Sequence, residues 1–541
     1  MSRANPAILA AIMIGFAAVL GGVTFWPGAF YIRLHEGDTL HLVSILLRME
    51  DGQRPHLDFM TPIGALAFAP IVLFLKAGLG VGMSILAAQF LVAAVLAPAI
   101  WWVALSRYPG RWAWVFAAVA LTLVLGMMFG GTEASVSISM HYNRWAWAVT
   151  FLMVSVAVLP VIGRPRPRID GVILGAGAAA LVLTKMTFFV GVGPAILLIL
   201  LVRRKMATLG VAVIVGGLVA VGIALWGGVD FWASYARDLL VVATAETRPQ
   251  PGVGYAGTAA SPAFLGGSLL ALAAVVILRR SGAKNAGLAL MLLFPGFVLI
   301  AWQNWGNEPR WLWLLGLMLV PLGLRMDSEA GDWLRGRRAL TLVAAMAMAL
   351  SFGTFINILL SPFRHVATDK SDYVALITGD PRLADLLTVD IRALRLNRRV
   401  DLTMPGAADA PWNDPELRDE PAILLGEALE PCETQLGISA WTAAISADLA
   451  AAGYGTGTQI FTADVFSAFW LYGPQDALDG GAPWYYGGLT GLQNADVMLV
   501  PICPNHEVTR KRVLDEVVEF NVPLTEVHRT PDYVLLKVDA P

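Results

Sequence analysis

The chain has 541 residues, of which 57% are hydrophobic and only 14% are charged. A soluble domain carries about 25% charged residues, so this composition excludes an ordinary soluble enzyme. The formal charge of −2 and the lack of a long basic run argue against a nucleic-acid-binding protein. Eighteen tryptophans suit aromatic belts at membrane interfaces, and we therefore interpret the chain as an integral membrane protein.

Apolar stretches long enough to span a bilayer recur from the N-terminus to about Ser361. The first is interpreted as a retained anchor, because no clean small-residue cleavage site follows it. The block 170–202 is too long for one span and divides around 184–187 into two short ones, which gives about eleven crossings in all. The other predicted spans are 7–26, 83–105, 111–130, 144–162, 208–226, 263–279, 285–302, 311–325 and 338–360.

Lysine and arginine in the short loops predict the orientation. Their five clusters share one side only if the apolar piece 62–80 does not cross, so we interpret that piece as a re-entrant or surface-lying helix. The N-terminus is then cytoplasmic. The basic clusters begin at Arg107, Arg164, Arg203, Arg279 and Arg325, and the segments predicted to face outward are 27–82, 131–143, 184–187, 227–262 and 302–310.

After the membrane domain, 1–361, the composition changes. Residues 362–541 alternate β-like and helical patterns without a spanning stretch, which predicts a C-terminal α/β domain on the outer side, in the periplasm of a bacterium. Both cysteines, Cys432 and Cys503, lie here, and a disulfide and two free thiols are equally compatible with the sequence. The predicted strands are 373–378, 422–425, 459–462, 497–502 and 533–538, and the predicted helices are 441–452 and 508–520.

The first outer loop, 27–61, carries two acids, Glu36 and Asp38, before a pattern that predicts a helix over 38–50 along the membrane surface. A carboxylate at a membrane-facing cavity can deprotonate a hydroxyl nucleophile. The alternative is that Asp38 only caps the helix. His56 and Asp58 follow in the same loop and are candidates for substrate binding.

The loop 131–143 adds Glu133 and His141 as candidates for the same cavity. The alternative is an interfacial loop whose hydroxyls cap helix ends, which we prefer for its serines. Four of the seven histidines fall in the first two outer loops, so a divalent metal is conceivable, but no metal ligand is assigned.

Two cations are candidates for phosphate binding. Lys185 lies inside an apolar block, where an ionisable residue is a functional candidate by default. Arg310 opens a late span, where a helix N-terminus and a guanidinium both attract an anion. The alternatives are snorkelling of the lysine to the headgroups and an arginine within an aromatic belt.

This pattern resembles the GT-C superfamily of polytopic glycosyltransferases, such as aminoarabinose transferases and protein O-mannosyltransferases. The resemblance covers about 1–360. In place of the family's adjacent acids the chain has Glu-Gly-Asp, so which carboxylate acts stays open, and Met186 and Trp311 replace the usual Gly and Tyr. The motifs that carry it are Glu36-Gly37-Asp38 with Arg54-Pro55-His56-Leu57-Asp58 and Pro62, Leu183-Thr184-Lys185 with Pro194, and Asn307-Glu308-Pro309-Arg310-Trp311.

The resemblance implies a mainly α membrane bundle that transfers one sugar from a polyprenyl-phosphate donor in the bilayer to a periplasmic glycan, lipid or protein. It implies inversion at the anomeric centre, with Asp38 as base and with Lys185 and Arg310 binding phosphate. Two other functions stay open. A transporter or lipid flippase predicts inverted repeats, which the sequence lacks, and a non-catalytic subunit of an envelope polysaccharide complex predicts that Asp38→Asn has no effect.

Overall fold

The computed structural model describes residues 2–131, 133–245, 254–304, 309–326, 336–400 and 420–539. Helices dominate the first two thirds of the chain and pack as a bundle around one continuous apolar core. Its helices are α1 (Pro6–Phe25), α2 (Glu36–Glu50), α3 (Ala69–Lys76), α4 (Val81–Arg107), α5 (Arg111–Leu125), α6 (His141–Val158), α7 (Pro167–Thr184), α8 (Met186–Val202), α9 (Met206–Gly227), α10 (Asp230–Thr244), α11 (Tyr255–Ala260), α12 (Pro262–Arg280), α13 (Lys284–Gln303), α14 (Arg310–Gly323), α15 (Gly336–Leu350) and α16 (Phe352–Val366).

Several of these helices are long and apolar enough to cross a membrane. Within the described residues six meet both criteria (α1, α4, α7, α9, α12 and α13), or seven if α15 and α16, which meet at a 55° bend, form one span. Helices α5, α8 and α14 are apolar but shorter, so the eleven crossings stay a prediction. The expected break around 184–187 is confirmed, because α7 ends at Thr184 and α8 begins at Met186.

The apolar piece 62–80 contains the eight-residue helix α3, which follows a 3₁₀ turn at Ala65–Ala67. At 1.5 Å per residue this helix is about 12 Å long, less than half the thickness of a bilayer's hydrocarbon core. It is therefore too short to cross a membrane alone.

Basic loops that are distant in sequence meet at one end of the bundle. Arg203 Nη1 donates to the backbone carbonyl of Val158 at 2.6 Å, and Arg325 Nη2 donates to that of Val161 at 3.1 Å. Arg107 forms a buried ion pair with Asp170 at 2.5 Å. Since α6 and α8 both end here, their first residues lie at the opposite end of the bundle.

Helix α2 differs from its prediction in two ways. It begins at Glu36 with His35 at the N-cap position, so Asp38 lies in its first turn and is not the N-cap residue. Every residue of 39–48 is buried, so α2 is enclosed and does not lie along a membrane surface. The C-terminal region contributes to this enclosure, since Arg392 pairs with Glu36 and the Trp470 ring lies against Arg48. Sequence periodicity within α2 cannot reveal such contacts.

The C-terminal region contains all the predicted strands and both predicted helices, with short or polar strands in addition. The elements are β2 (Tyr373–Ala375), β3 (Leu386–Val389), α17 (Asp390–Leu394), β4 (Asn397–Val400), β5 (Ile423–Leu424), β6 (Glu427–Ala428), β7 (Cys432–Leu436), α18 (Ile438–Ala451), β8 (Ile460–Thr462), β9 (Val497–Pro501), α19 (Glu507–Glu519), β10 (Leu524–Arg529) and β11 (Tyr533–Val538). The main sheet has the order β10-β11-β9-β8, in which β8 and β9 are parallel and the other pairs antiparallel.

The bundle and the C-terminal region share a second sheet. Strand β1 (Phe30–Ile32), in the first loop, pairs in parallel with β3, and β3 pairs antiparallel with β2. A disulfide between Cys432 and Cys503 joins β7 to the segment after β9, which settles the alternative that the sequence left open. The shared sheet holds the start of α2 against the C-terminal region.

Candidate functional site

A cavity of about 970 Å³ lies where the bundle meets the C-terminal region. Four of the eight residues predicted for the site line it, namely Glu36, Asp38, Glu133 and Lys185. They come from the first turn of α2, the segment between α5 and α6, and the break between α7 and α8. Tertiary packing thus brings three acids and one cation to the same space.

Asp38 reaches the cavity from the first turn of α2, where the helix dipole favours a negative charge. Its Oδ2 accepts a hydrogen bond from Ser139 Oγ at 2.5 Å. The serine was expected only to cap a helix end, and it orients this carboxylate instead. A hydroxyl partner positions the carboxylate without neutralising it, as a base at this position requires.

Glu36 lines the same cavity but is engaged in an ion pair. Its Oε1 accepts from Arg392 Nε at 2.5 Å and from Thr388 Oγ1 at 3.2 Å. The Glu36 side chain is 6% exposed, so the pair is shielded from water on that side. Of the two acids in the motif, Glu36 therefore has a compensated charge and a structural role in joining α2 to the C-terminal region.

Lys185 occupies the break between α7 and α8, in an extended conformation with φ −154° and ψ 100°. Gly64 docks against this break: its N–H donates to the Thr184 carbonyl at 3.2 Å, and a methyl group in its place would overlap the backbone carbonyl of Leu183. The Lys185 ammonium lies 5.5 Å from the ring centroid of Tyr142. The half-buried cation therefore enters the cavity beside the first turn of α8, whose leading N–H groups attract anions.

His35 lines the cavity and was not chosen as a site residue from the sequence. It adopts the left-handed conformation, with φ 68° and ψ 47°, immediately before α2. Its Nδ1 lies 2.9 Å from Ser137 Oγ, and its ring meets Phe129 edge to face at 4.8 Å. Burial lowers the pKa of His35, and this effect outweighs the nearby negative charge of Asp38, which raises it. The lowered pKa favours the neutral imidazole at neutral pH.

Arg310 does not line the cavity, contrary to its predicted place in a phosphate clamp. It is wholly buried at the first position of α14. The prediction assumed that a residue opening a span faces the membrane surface. Because all of 310–319 is buried in the packed bundle, the arginine is enclosed by protein instead.

The other three predicted site residues also lie outside the lining and hold the fold. His56 Nδ1 lies 2.9 Å from Asp238 Oδ2, which attaches the first loop to α10. His141 Nε2 lies 2.9 Å from a backbone carbonyl of the 3₁₀ turn. Asp58 accepts from the backbone N–H four residues earlier at 2.6 Å. Each was predicted from its polarity in an outer loop, and each contacts a structural partner instead of the cavity.

The C-terminal region supplies one wall of the cavity, which sequence reasoning missed altogether. This C-terminal wall includes Gln435, Phe466, Trp484, Tyr486 and Asn505. A local signal was present in the aromatic run between glycine pairs at 480–488. Nothing in that run indicates contact with the first loop, which it makes through a 3.1 Å contact between the Tyr486 hydroxyl and an α2 histidine.

Within the described residues, no three His, Cys, Asp or Glu side chains come close enough together to hold a metal ion. No protein-family model, curated protein or solved structure matches the chain. The chemistry of the cavity lining is therefore the basis for assigning a function.

Proposed function

We propose that this chain is a membrane glycosyltransferase of the GT-C type, which transfers a sugar from a polyprenyl-phosphate donor to an acceptor hydroxyl. The observation that carries the proposal is that one cavity is lined by a carboxylate, Asp38, and by a cation, Lys185, at a helix N-terminus. Among the residues that the structure describes, Asp38 accepts a hydrogen bond from a hydroxyl and forms no ion pair. A base and an anion site facing one space suit a reaction in which a hydroxyl attacks and a phosphate departs.

In the proposed reaction the acceptor oxygen attacks the anomeric carbon as the bond between that carbon and the phosphate oxygen breaks. The hydroxyl proton passes to Asp38, and the configuration inverts because attack and departure occur on opposite faces. Lys185 and the first-turn N–H groups of α8 stabilise the charge on the departing lipid phosphate. Arg310 has no part in this proposal, because it lies outside the cavity lining.

The apolar side of the cavity supports a lipid-linked donor. Met186 and Val190 of α8, Leu239 of α10 and Leu299 of α13 all line it. Val190 is 51% exposed and lies on the face of α8 that also exposes residues 197 and 201. A polyprenyl chain can therefore leave the cavity along a helix face suited to contact with lipid.

The chemistry of the two ends of the bundle supports one orientation in the membrane. The basic loops meet at the end opposite the cavity, and positive loops favour the cytoplasm. The proposal therefore assigns the N-terminus to the cytoplasm, and the cavity with the C-terminal region to the periplasm. The protein is then an inner-membrane enzyme of a bacterial envelope.

The proposal is tested with purified protein in nanodiscs, supplied with polyprenyl-phosphate-linked sugars and assayed for release of free lipid phosphate. Asp38→Asn and Lys185→Ala should each lower the rate by about 10²–10⁴-fold, as expected for loss of a base or of a charge that stabilises the leaving group. Matched controls are Asp51→Asn, an exposed acid in the same loop but outside the cavity, and Lys76→Ala, an exposed lysine at the end of α3.

Two results would refute the transferase. Movement of intact donor between leaflets without bond cleavage would identify a flippase. An unchanged rate in both Asp38→Asn and Lys185→Ala would remove the proposed machinery.

A further inference from the structure

The C-terminal wall of the cavity differs chemically from the wall made by the bundle. Its Phe466 and Trp484 rings pack edge to face with centroids 4.7 Å apart, and Trp484 also packs edge to face on His41 of α2 at 5.6 Å. Among the described residues of the C-terminal region, Arg392 is the one charged side chain in the lining, and it is paired with Glu36. The wall therefore presents rings and neutral polar groups without an uncompensated charge.

Two side-chain amides belong to this wall, and one of them has a fixed orientation. The backbone N and the Nδ2 of Asn505 donate to Asp464 Oδ2 at 2.6 and 2.9 Å. Asp464 is only 3% exposed and also accepts from two other backbone N–H groups, so it is held firmly. Because Nδ2 faces this buried carboxylate, the Asn505 amide offers its Oδ1 as a hydrogen-bond acceptor.

The second amide, Gln435, is exposed in the lining, and within the described part of the chain it makes no hydrogen bond. The disulfide lies three residues before Gln435 and two before Asn505, so it holds their two segments together. Thr434 adds two hydrogen bonds between these segments, from its N–H to the Pro504 carbonyl at 2.7 Å and from its hydroxyl to the Cys503 carbonyl at 3.0 Å. The two amides are thus carried on braced backbone segments, and little backbone entropy is lost when a ligand binds.

We infer that the C-terminal wall is a subsite for a neutral pyranose ring of the acceptor. A pyranose has an apolar C–H face, which packs on aromatic rings, and an edge of hydroxyls, which exchange hydrogen bonds with amides. The lack of an uncompensated charge favours a neutral ligand over an anionic one. Naming this ligand the acceptor rests on the proposed function, whereas its chemical class rests on the wall alone.

Binding is measured by saturation-transfer NMR on the protein in nanodiscs, with methyl glucoside, methyl mannoside, methyl galactoside and methyl N-acetylglucosaminide as probes. We expect transfer to the ring C–H protons of at least one probe. Gln435→Ala and Asn505→Ala should each weaken its Kd about three- to tenfold, the effect of losing one hydrogen bond. Gln493→Ala removes an exposed amide outside the cavity and should leave the Kd unchanged.

The subsite is overturned if no glycoside receives saturation, if Gln493→Ala weakens binding as much as the other two variants, or if a serine- and threonine-containing peptide binds while the glycosides do not. Its failure is distinct from failure of the proposed function. Release of lipid phosphate without glycoside binding would retain the transferase and refute the subsite. Glycoside binding without release would retain the subsite and refute the transferase.

Discussion

At the scale of single residues, the partner of each cavity carboxylate decides what that carboxylate can do. Glu36 is compensated by Arg392, whereas Asp38 is held by a hydroxyl. Glu133 is exposed in the lining, on a segment whose backbone is held by Asn357. The three acids are alike in chemistry, and their surroundings make Asp38 the base in the proposed reaction.

Asp464 makes the stability of the C-terminal region depend on pH. Burial raises the pKa of Asp464 to about 6, from 3.8 in the unfolded chain. The folded state therefore holds this proton more tightly, and its contribution to stability is present below pH 4 and is lost as the pH rises to about 6. This difference in pKa between the folded and the unfolded state corresponds to about 3 kcal/mol of stability. Thermal unfolding between pH 4 and 7 should show this decline.

Asp464→Asn is the matching variant. It should lower stability at every pH, because its amide N–H₂ would face N–H donors, including those of Asn505 and His506. The fall between pH 4 and 6 should nevertheless become smaller, since the carboxylate is gone. Equal slopes in the wild type and the variant would contradict the assignment.

At the scale of elements, the break between α7 and α8 is the feature that brings a charge into the cavity. In a continuous helix, the direction of the side chain at position 185 would depend only on its position in the helical repeat. The extended conformation of Lys185 ends one helix and starts the next, and Gly64 docks against the exposed backbone. The segment after the first loop is thus part of the support for the cation.

Gly64→Ala tests this support. The added methyl would meet the backbone of Leu183, which cannot rotate away as a side chain can. We expect a loss of about 1–3 kcal/mol in stability and a larger fall in lipid-phosphate release than in donor binding. Gly22→Ala, in α1, is the control, because its methyl meets nothing within 4 Å. A wild-type melting temperature and rate in Gly64→Ala would show that the break is held by other contacts.

At the scale of the whole molecule, the bundle and the C-terminal region share a sheet and an apolar core. Strand β1 of the first loop lies in a sheet with β3 and β2, and the apolar core of the bundle includes Leu376, Leu386 and Ile438. The cavity has walls from both parts. Neither part alone encloses the site.

The disulfide should matter for this assembly, since it braces the C-terminal wall. Cys432 and Cys503 are the two cysteines of the sequence, so reducing agent acts at one place. We expect both cysteines to be unreactive toward maleimide until the disulfide is reduced. Reduction should lower the free energy of unfolding by about 2–4 kcal/mol. A variant with both cysteines changed to serine should melt lower and be insensitive to reducing agent. Free thiols in protein isolated from a bacterial membrane would contradict both the bond and the proposed periplasmic side.

Local sequence determined the apolar, mainly helical character of the protein and most of its elements. Long apolar runs mark the helices, the polar break marks the end of α7, and alternation marks strands such as β9 and β11, because hydropathy and periodicity are properties of neighbouring residues. The acids of the first loop and Lys185 were also found in this way, as charges that are costly beside or within apolar segments.

Only the tertiary structure decided which of these residues meet. Glu36 pairs with a residue 356 positions away, His56 with one 182 positions away, and the C-terminal wall reaches α2 across more than 400 positions. Arg310 has the same local pattern as an exposed interfacial arginine, yet the packed bundle encloses it. Contacts over such separations depend on how whole elements pack, and the local pattern of a single chain carries no record of that packing.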